Sequence, residues 1–171
     1  YGTLKYSGEL IVKAYYNVFG IPYTIIRPSA LYGERCVSRR VGQVFIENAV
    51  QNNVINIKGD GTERLDFTYI TDLIDGVKLI IENEKSKNQT FNLTYGKAHS
   101  INNMLEIIKH HFGDVKVNYI PKDKFTPKRG TLCINKAKNT LGYEPKYSLK
   151  QGYENYIQWY KDFWNSLENK N

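Results

Sequence analysis

Tyr1-Gly-Thr-Leu-Lys5 opens a run that keeps a helical pattern to Phe19, and Ile21-Pro-Tyr-Thr-Ile-Ile-Arg-Pro-Ser-Ala-Leu-Tyr-Gly33 follows it. If Tyr1 begins a helix, Lys5 lies one turn on and on the same face, because residues i and i+4 stack along a helix surface. An ammonium then stands beside a phenol. A fixed positive charge favours the phenolate, so the pair suits an acid/base tyrosine, although two solvated helix residues satisfy the same spacing. Leu4, Ile11, Val12, Ala14, Tyr15, Val18 and Phe19 recur at helical spacing on more than one side, Gly20 supplies a stop, and Pro22 lies just beyond. A helix apolar on two sides expects two partners. Tyr23 to Ile26 is a short β-branched run of the kind buried in parallel sheets, and Arg27-Pro28 closes it. A loop therefore opens at the carboxyl end of a strand, where α/β proteins place ligands.

Working outward, residues 41–52 read as a helix with Val44, Phe45, Ala49 and Val50 inward, residues 54–57 as a strand, and Gly59-Asp-Gly-Thr62 as a turn. Leu65 to Ile70 reads as a strand. Thr71 is the expected cap of a helix in which Leu73, Ile74, Val77, Ile80 and Ile81 repeat at 3.6 spacing. After a polar link, residues 90–93 form a strand, and Ser100 caps a helix through Met104, Leu105 and Ile108 to Phe112. A strand at 115–120, a short helix at 134–141 closed by Gly142, and a last helix capped by Ser148 and ending near Leu167 complete the pattern. Strands alternating with helices mean an α/β class.

The bulk numbers bound this reading. With 171 residues, 41% of them apolar, the chain can bury one ordinary core and form one or at most two compact units. A net charge of +7 and a pI near 9.2 permit an anionic partner. Lys and Arg are scattered and no nucleic-acid fold signature appears, so phosphates on a small ligand are preferred to nucleic acid, and a merely soluble basic surface remains open. Cys36 and Cys133 are far apart with no metal spacing, and His99, His110 and His111 show no ligand pattern, so no metal is assigned and a reducing cytoplasm is the plain reading. With no run of about 18 apolar residues and no charged-then-apolar leader, neither a membrane span nor a signal peptide is expected.

The opening helix and the Ile21–Gly33 segment together resemble the active-site region of the extended short-chain dehydrogenase/reductases, the nucleotide-sugar epimerase and dehydratase family. The resemblance implies that Tyr1 is the catalytic acid/base, that Lys5 favours its phenolate and holds the nicotinamide ribose, and that Pro28 lies at the cofactor, NAD or NADP. Many members carry an Asn that contacts the diphosphate where this chain has Ala30, with Ser29 beside it, and Asn56 and Lys58 occupy positions where members stack the base. Gly59-Asp-Gly-Thr-Glu-Arg64-Leu-Asp66-Phe67-Thr-Tyr69-Ile-Thr-Asp72 resembles the stretch in which an arginine clamps the diphosphate and an acidic residue anchors the next helix. A guanidinium fork matches phosphate oxygens, so Arg64 is the first phosphate candidate, against a surface salt bridge. Pro127-Lys-Arg129-Gly-Thr-Leu-Cys-Ile-Asn-Lys136-Ala, followed by Leu141-Gly-Tyr-Glu-Pro145, resembles the family's C-terminal signature, with Cys133 in place of its usual Asp; Arg129 is the second candidate. Arg35, Arg39 and Arg40 form a basic loop that suits phosphate, sugar acid or solvent equally.

A dinucleotide site needs a strand, a glycine-rich turn and a helix whose N-terminus faces the pyrophosphate, and this sequence contains no such unit. The resemblance therefore implies the C-terminal half of an extended enzyme. Its fold would be the C-terminal part of a Rossmann-like doubly wound sheet plus the smaller α/β substrate-binding domain. Residues 1–35 would be the remnant of the dinucleotide-binding domain and 36–171 mainly the substrate domain, with elements around 65–95 returning to the cofactor domain. The implied activity is NAD-dependent oxidation of a sugar hydroxyl on a nucleotide-diphosphate sugar, an epimerase somewhat favoured over a dehydratase, with a homodimer through the 1–19 helix. Two other readings stay open: a non-catalytic nucleotide-sugar-binding module, and a short-chain reductase of a non-sugar carbonyl.

Overall fold

A computed structural model of the chain describes residues 1–123 and 129–168, with side chains to Ser166. In chain order the elements are α1 (Gly2–Phe19), β1 (Thr24–Arg27), β2 (Leu31–Tyr32), α2 (Val41–Val50), β3 (Ile55–Lys58), β4 (Arg64–Leu65), β5 (Thr68–Tyr69), α3 (Ile70–Glu82), β6 (Gln89–Asn92), β7 (His99–Ser100), α4 (Ile101–Phe112), β8 (Val117–Ile120), α5 (Asn135–Leu141) and α6 (Leu149–Glu168). The α/β class is as expected. Pro127 and Lys128, the first residues of the C-terminal signature, lie outside the described residues.

α1 stops at Gly20, whose φ of 68° is the left-handed conformation that glycine adopts without strain, and the Gly20 N–H returns to the Tyr16 carbonyl at 2.8 Å. No α1 residue is buried. Leu4, Ile11, Val18 and Phe19 are each more than half exposed, so both apolar sides of the helix are open. β1 pairs parallel with β6, from Thr24 opposite Gln89 to Arg27 opposite Asn92. Ile26 of β1 packs with α3 and α5 on a small core of Ile80, Phe91, Leu93, Ala137, Leu141 and Tyr143.

The larger core is built by α2, α4 and α6 on the parallel pair β3–β8, around Phe45, Ile46, Ile55, Ile57, Met104, Leu105, Ile108, Tyr153 and Tyr156. Each such side chain contributes about 1.5–3 kcal/mol by leaving water. Two expected caps hold these helices at their starts. Ser100 Oγ accepts the Asn103 N–H at 3.1 Å while Asn103 returns an oxygen to the Ser100 N–H at 3.0 Å, and Ser148 and Gln151 exchange the same bonds at 3.3 and 3.2 Å.

Three local expectations change. Leu65 to Ile70 is not one strand: β4 pairs antiparallel with β7, β5 pairs parallel with β2, and Asp66 and Phe67 turn into the interior between them. α3 begins at Ile70, so Thr71 lies inside its first turn, and Tyr69 precedes the helix without a side-chain cap. Ile74 and Ile81 face outward because the inner face of α3 is taken by Asp72, Gly76 and Ile80. Gly76 is pressed so close to Leu93 and Tyr143 that a methyl group there would come within 2.8 Å of the leucine. In α2, Ile46 is buried, whereas Val44, Ala49 and Val50 are only partly covered.

Candidate active site

The first turn of α1 places its two named residues together. The Lys5 N–H donates to the Tyr1 carbonyl at 3.1 Å, and the Lys5 ammonium lies 5.6 Å from the centre of the Tyr1 ring. One further turn brings Glu9 onto the same face, where its two oxygens accept Nε and Nη2 of Arg27 at 2.7 and 2.5 Å. This fork-to-fork pair is the geometry in which arginine and carboxylate bind most strongly. The Arg27 hydrogen bond holds the Glu9 carboxyl below its usual range, and Glu9 in turn raises Arg27. Because Arg27 ends β1, the pair ties α1 to the carboxyl end of that strand. Tyr1, Lys5, Glu9, Arg27 and Pro28 then line one groove of about 560 Å³.

Beyond Pro28 the chain bends through Ser29 and Ala30 into β2. The Ala30 carbonyl accepts the Thr68 N–H at 3.3 Å, and Ala30 has a φ of +29°, in the region that side-chain-bearing residues rarely adopt. The loop is thus held to β5 from the far side of the chain.

Arg64 and Arg129 belong to segments that meet at Ala98. The Arg64 guanidinium donates to the Ala98 carbonyl, while the Ala98 N–H donates to Thr131 Oγ1 at 2.9 Å, two residues after Arg129. Beneath them Asp66 is fully buried. Its carboxylate accepts Thr94 Oγ1 at 3.0 Å, the Gly96 N–H at 3.1 Å and the Leu132 N–H at 3.1 Å. Asp66 is therefore spent on fixing the loops and is not an ion-pair partner of Arg64. Among the described residues, no ion pair involves Arg64, Lys97 or Arg129, and all three are exposed. Among the described residues, Arg64 makes no surface salt bridge. Asp72, the acidic residue at the start of α3, accepts the Lys146 and Tyr147 N–H groups at 2.8 and 3.1 Å, and burial raises its pKa above the usual value.

Residues 1–94 match the NAD-dependent epimerase/dehydratase family. The chain belongs to that family. A protein of Methanocaldococcus jannaschii is 34% identical over 95% of this chain and 53% of its own length. The UDP-glucuronate 4-epimerase of Thermodesulfobacterium geofontis is 30% identical over 95% of this chain and 50% of its own. In structure, the UDP-glucuronic acid 4-epimerase of Bacillus cereus, solved with UDP-glucuronic acid and NAD, superposes with a TM-score of 0.89 at 29% identity, over 95% of this chain and 52% of that one. The chain spans about half the length of the curated relatives it matches.

Within this epimerase/dehydratase chain, Asn56 and Lys58 sit on the outward face of β3, at the start of the Gly59–Thr62 turn that ends beside Arg64. Asn56 Oδ1 accepts Asn118 Nδ2 of β8 at 3.1 Å, so its amide is half used by the fold. The basic loop separates into different roles: Arg39 is paired with Glu47 of α2 at 3.0 Å and Arg40 Nε donates to Ser38 Oγ at 3.2 Å, while Arg35 is exposed. Sequence reasoning passed over Glu9, Arg27 and the structural role of Asp66. The signals were present: Glu9 is four residues from Lys5, and Asp66 interrupts the apolar and aromatic run Leu65–Tyr69. Among the described residues, no group of three or more His, Cys, Asp or Glu could hold a metal ion, and no helix is long and apolar enough to cross a membrane.

Proposed function

We propose that this chain carries the acid/base tyrosine and the diphosphate-binding residues of an NAD-dependent UDP-sugar 4-epimerase. The observation that carries the reading is the meeting of Arg64 and the Arg129 segment on Ala98, which presents cations that have no ion-pair partner among the described residues, in the same molecule as a Tyr1/Lys5 groove at a strand's carboxyl end. The names of the relatives support a UDP-sugar and a 4-epimerisation over a dehydration.

The groove suits the nicotinamide end of a dinucleotide: Lys5 offers an ammonium donor for ribose hydroxyls and Pro28 an apolar edge. NAD, when bound, supplies the hydride acceptor and donor. The 171 residues hold no glycine-rich turn for its pyrophosphate, so that grip falls to chain outside them. The phenolate of Tyr1 takes the proton of the sugar 4-hydroxyl and later returns it, and the charge of Lys5 supports that phenolate. Arg64 and Arg129 hold the diphosphate while the sugar presents one face and then the other.

The domain division follows the two cores. We assign α1, β1, β6, α3 and α5 to the cofactor-domain side and α2, β3, α4, β8 and α6 to the substrate domain. That assignment moves residues 135–143 out of the substrate part. One open side of α1 would meet the rest of the cofactor sheet. The other, where Ile11, Val12, Tyr15, Ile21 and Tyr23 line a shallow apolar groove, would meet a second copy. The free thiols of Cys36 and Cys133 fit a cytoplasmic setting.

The test is UDP-sugar epimerisation with NAD by the protein that carries this chain. Tyr1→Phe should lower kcat by roughly 10²-fold or more, the usual worth of a positioned acid/base, while UDP-sugar binding persists. Full turnover by Tyr1→Phe would reject the assignment.

A further inference from the structure

The face of α1 that carries Tyr1 and Lys5 continues past them. Glu9 follows one turn beyond Lys5, and residues four apart on a helix have β-carbons about 5–6 Å from each other, so a phenol, an ammonium and a carboxylate follow in a row. The row closes on a second element: both Glu9 oxygens accept from Arg27, at the end of β1, at 2.7 and 2.5 Å. The charged side chains lining the groove are Lys5, Glu9 and Arg27, which together leave it one net positive charge. Lys5 is in no ion pair among the described residues, and its ammonium lies 5.6 Å from the centre of the Tyr1 ring. Tyr6 shares the groove and acts on Arg27, while Lys13, one turn past Glu9, acts on Glu9 from outside the groove.

Resting on the Tyr1/Lys5 reading above, we propose that Arg27 is a positioning residue for the proton transfer and acts through Glu9: by holding both carboxylate oxygens it cancels that negative charge beside Lys5, so that the ammonium is left to the Tyr1 phenolate.

Three cations stand within reach of Glu9. Lys5 and Lys13 flank it at four-residue spacing on the helix, and Arg27 faces it from the strand. Arg27 prevails because its fork makes two charge-assisted bonds, where an ammonium meets a carboxylate as a point charge. The bond to Arg27 is the largest cause holding the Glu9 carboxyl below its usual range, and Lys13 adds less. Without the Arg27 charge the groove is neutral, and the support that Lys5 gives a phenolate is offset by Glu9. Without the Glu9 charge the groove is doubly positive, and a phenolate is favoured further.

The test is the pH dependence of kcat for UDP-sugar epimerisation by the protein that carries this chain. Turnover should rise with pH as the acid/base tyrosine ionises. In Arg27→Gln the rise should move to higher pH by up to about one unit, which at a fixed pH below the plateau is a loss of up to about tenfold. Glu9→Gln should move the rise to lower pH. Combining Arg27→Gln with Glu9→Gln should bring the curve back toward that of the parent and recover most of the turnover lost in Arg27→Gln. A pair that only braces α1 against β1 gives another pattern, in which both single variants and the double lose turnover alike at every pH. Thermal unfolding shows whether each variant is folded at the assay temperature; where Arg27→Gln is not, the direction of the Glu9→Gln shift decides. The parent curve in Arg27→Gln, which would mean that the released carboxylate turns to Lys13 or to solvent, overturns the proposal and leaves the Tyr1/Lys5 reading intact. A Glu9→Gln curve that stays in place or moves to higher pH, or a double variant without recovery, does the same. Full turnover by Tyr1→Phe would overturn both.

Discussion

Asp66 accepts the backbone N–H of Leu132 at 3.1 Å, joining two points 66 residues apart in the chain. The same carboxylate holds Thr94 and Gly96, so one buried anion fixes the β6–β7 loop and the segment that carries Arg129. A buried acceptor of this kind is costly to remove because its donors are left without partners. Asp66→Ala should lower unfolding stability by roughly 3 kcal/mol, as buried charge-assisted networks do when one partner is lost, with the shift in urea midpoint as the readout. A midpoint unchanged from the parent chain would mean that the segments are held by other contacts.

The clasp between Glu9 and Arg27 carries a defined pH dependence. Arg27 is about half exposed, so the pair contributes at most about 1 kcal/mol. Its sign follows from Glu9: the folded pKa lies below the ordinary glutamate value, so the stabilisation is present above that value and fades as pH falls through the folded one. Glu9→Gln should therefore be slightly less stable than the parent near neutrality and indistinguishable from it in strong acid. Thermal unfolding across that range, repeated at high salt to screen the pair, measures both limits.

Gly61 has a φ of +76°, and a methyl group built on it would lie 2.0 Å from Asn102 Oδ1 at the start of α4. The Gly61 carbonyl also accepts the Asn102 N–H at 3.0 Å, so the turn and the helix N-terminus are pressed together. Gly61→Ala should cost roughly 2 kcal/mol or more through strain and displacement of Asn102. The same change at Gly130, where nothing lies within 4 Å and the φ is not in the left-handed region, should be nearly neutral. Chemical denaturation of the two variants side by side separates the cases.

How far the sequence alone carries depends on whether the deciding contact is local. Tyr1 and Lys5 were legible because four residues of helix fix their relation, and Ser100, Ser148, Gly20 and Gly142 marked helix ends through bonds to near neighbours. The run Leu65 to Ile70 misled for the opposite reason. Its apolar and β-branched residues fit a strand, but Asp66 is drawn inward by donors on residues 94, 96 and 132, and the ladder breaks around it. The 3.6 repeat in α3 was correct, yet Gly76 and Asp72 rather than Ile74 and Ile81 face the core, because a glycine lets Leu93 and Tyr143 approach closely. Arg64 and Arg129 could be named as phosphate candidates one at a time. That Arg64 and Thr131, two residues after Arg129, both bond to Ala98 depends on contacts across 34 and 33 residues, which no periodicity encodes.

The proposed grip on a nucleotide diphosphate through Arg64 and the Arg129 segment is open to measurement. Isothermal titration of UDP-glucose into the chain, with Arg64→Ala alongside, addresses it directly. Binding should be saturable, and Arg64→Ala should weaken it by roughly tenfold or more, about 1.5–3 kcal/mol for a hydrogen bond to a charged group. Equal binding by parent and Arg64→Ala, or no binding by either, would mean that Arg64 does not hold a diphosphate.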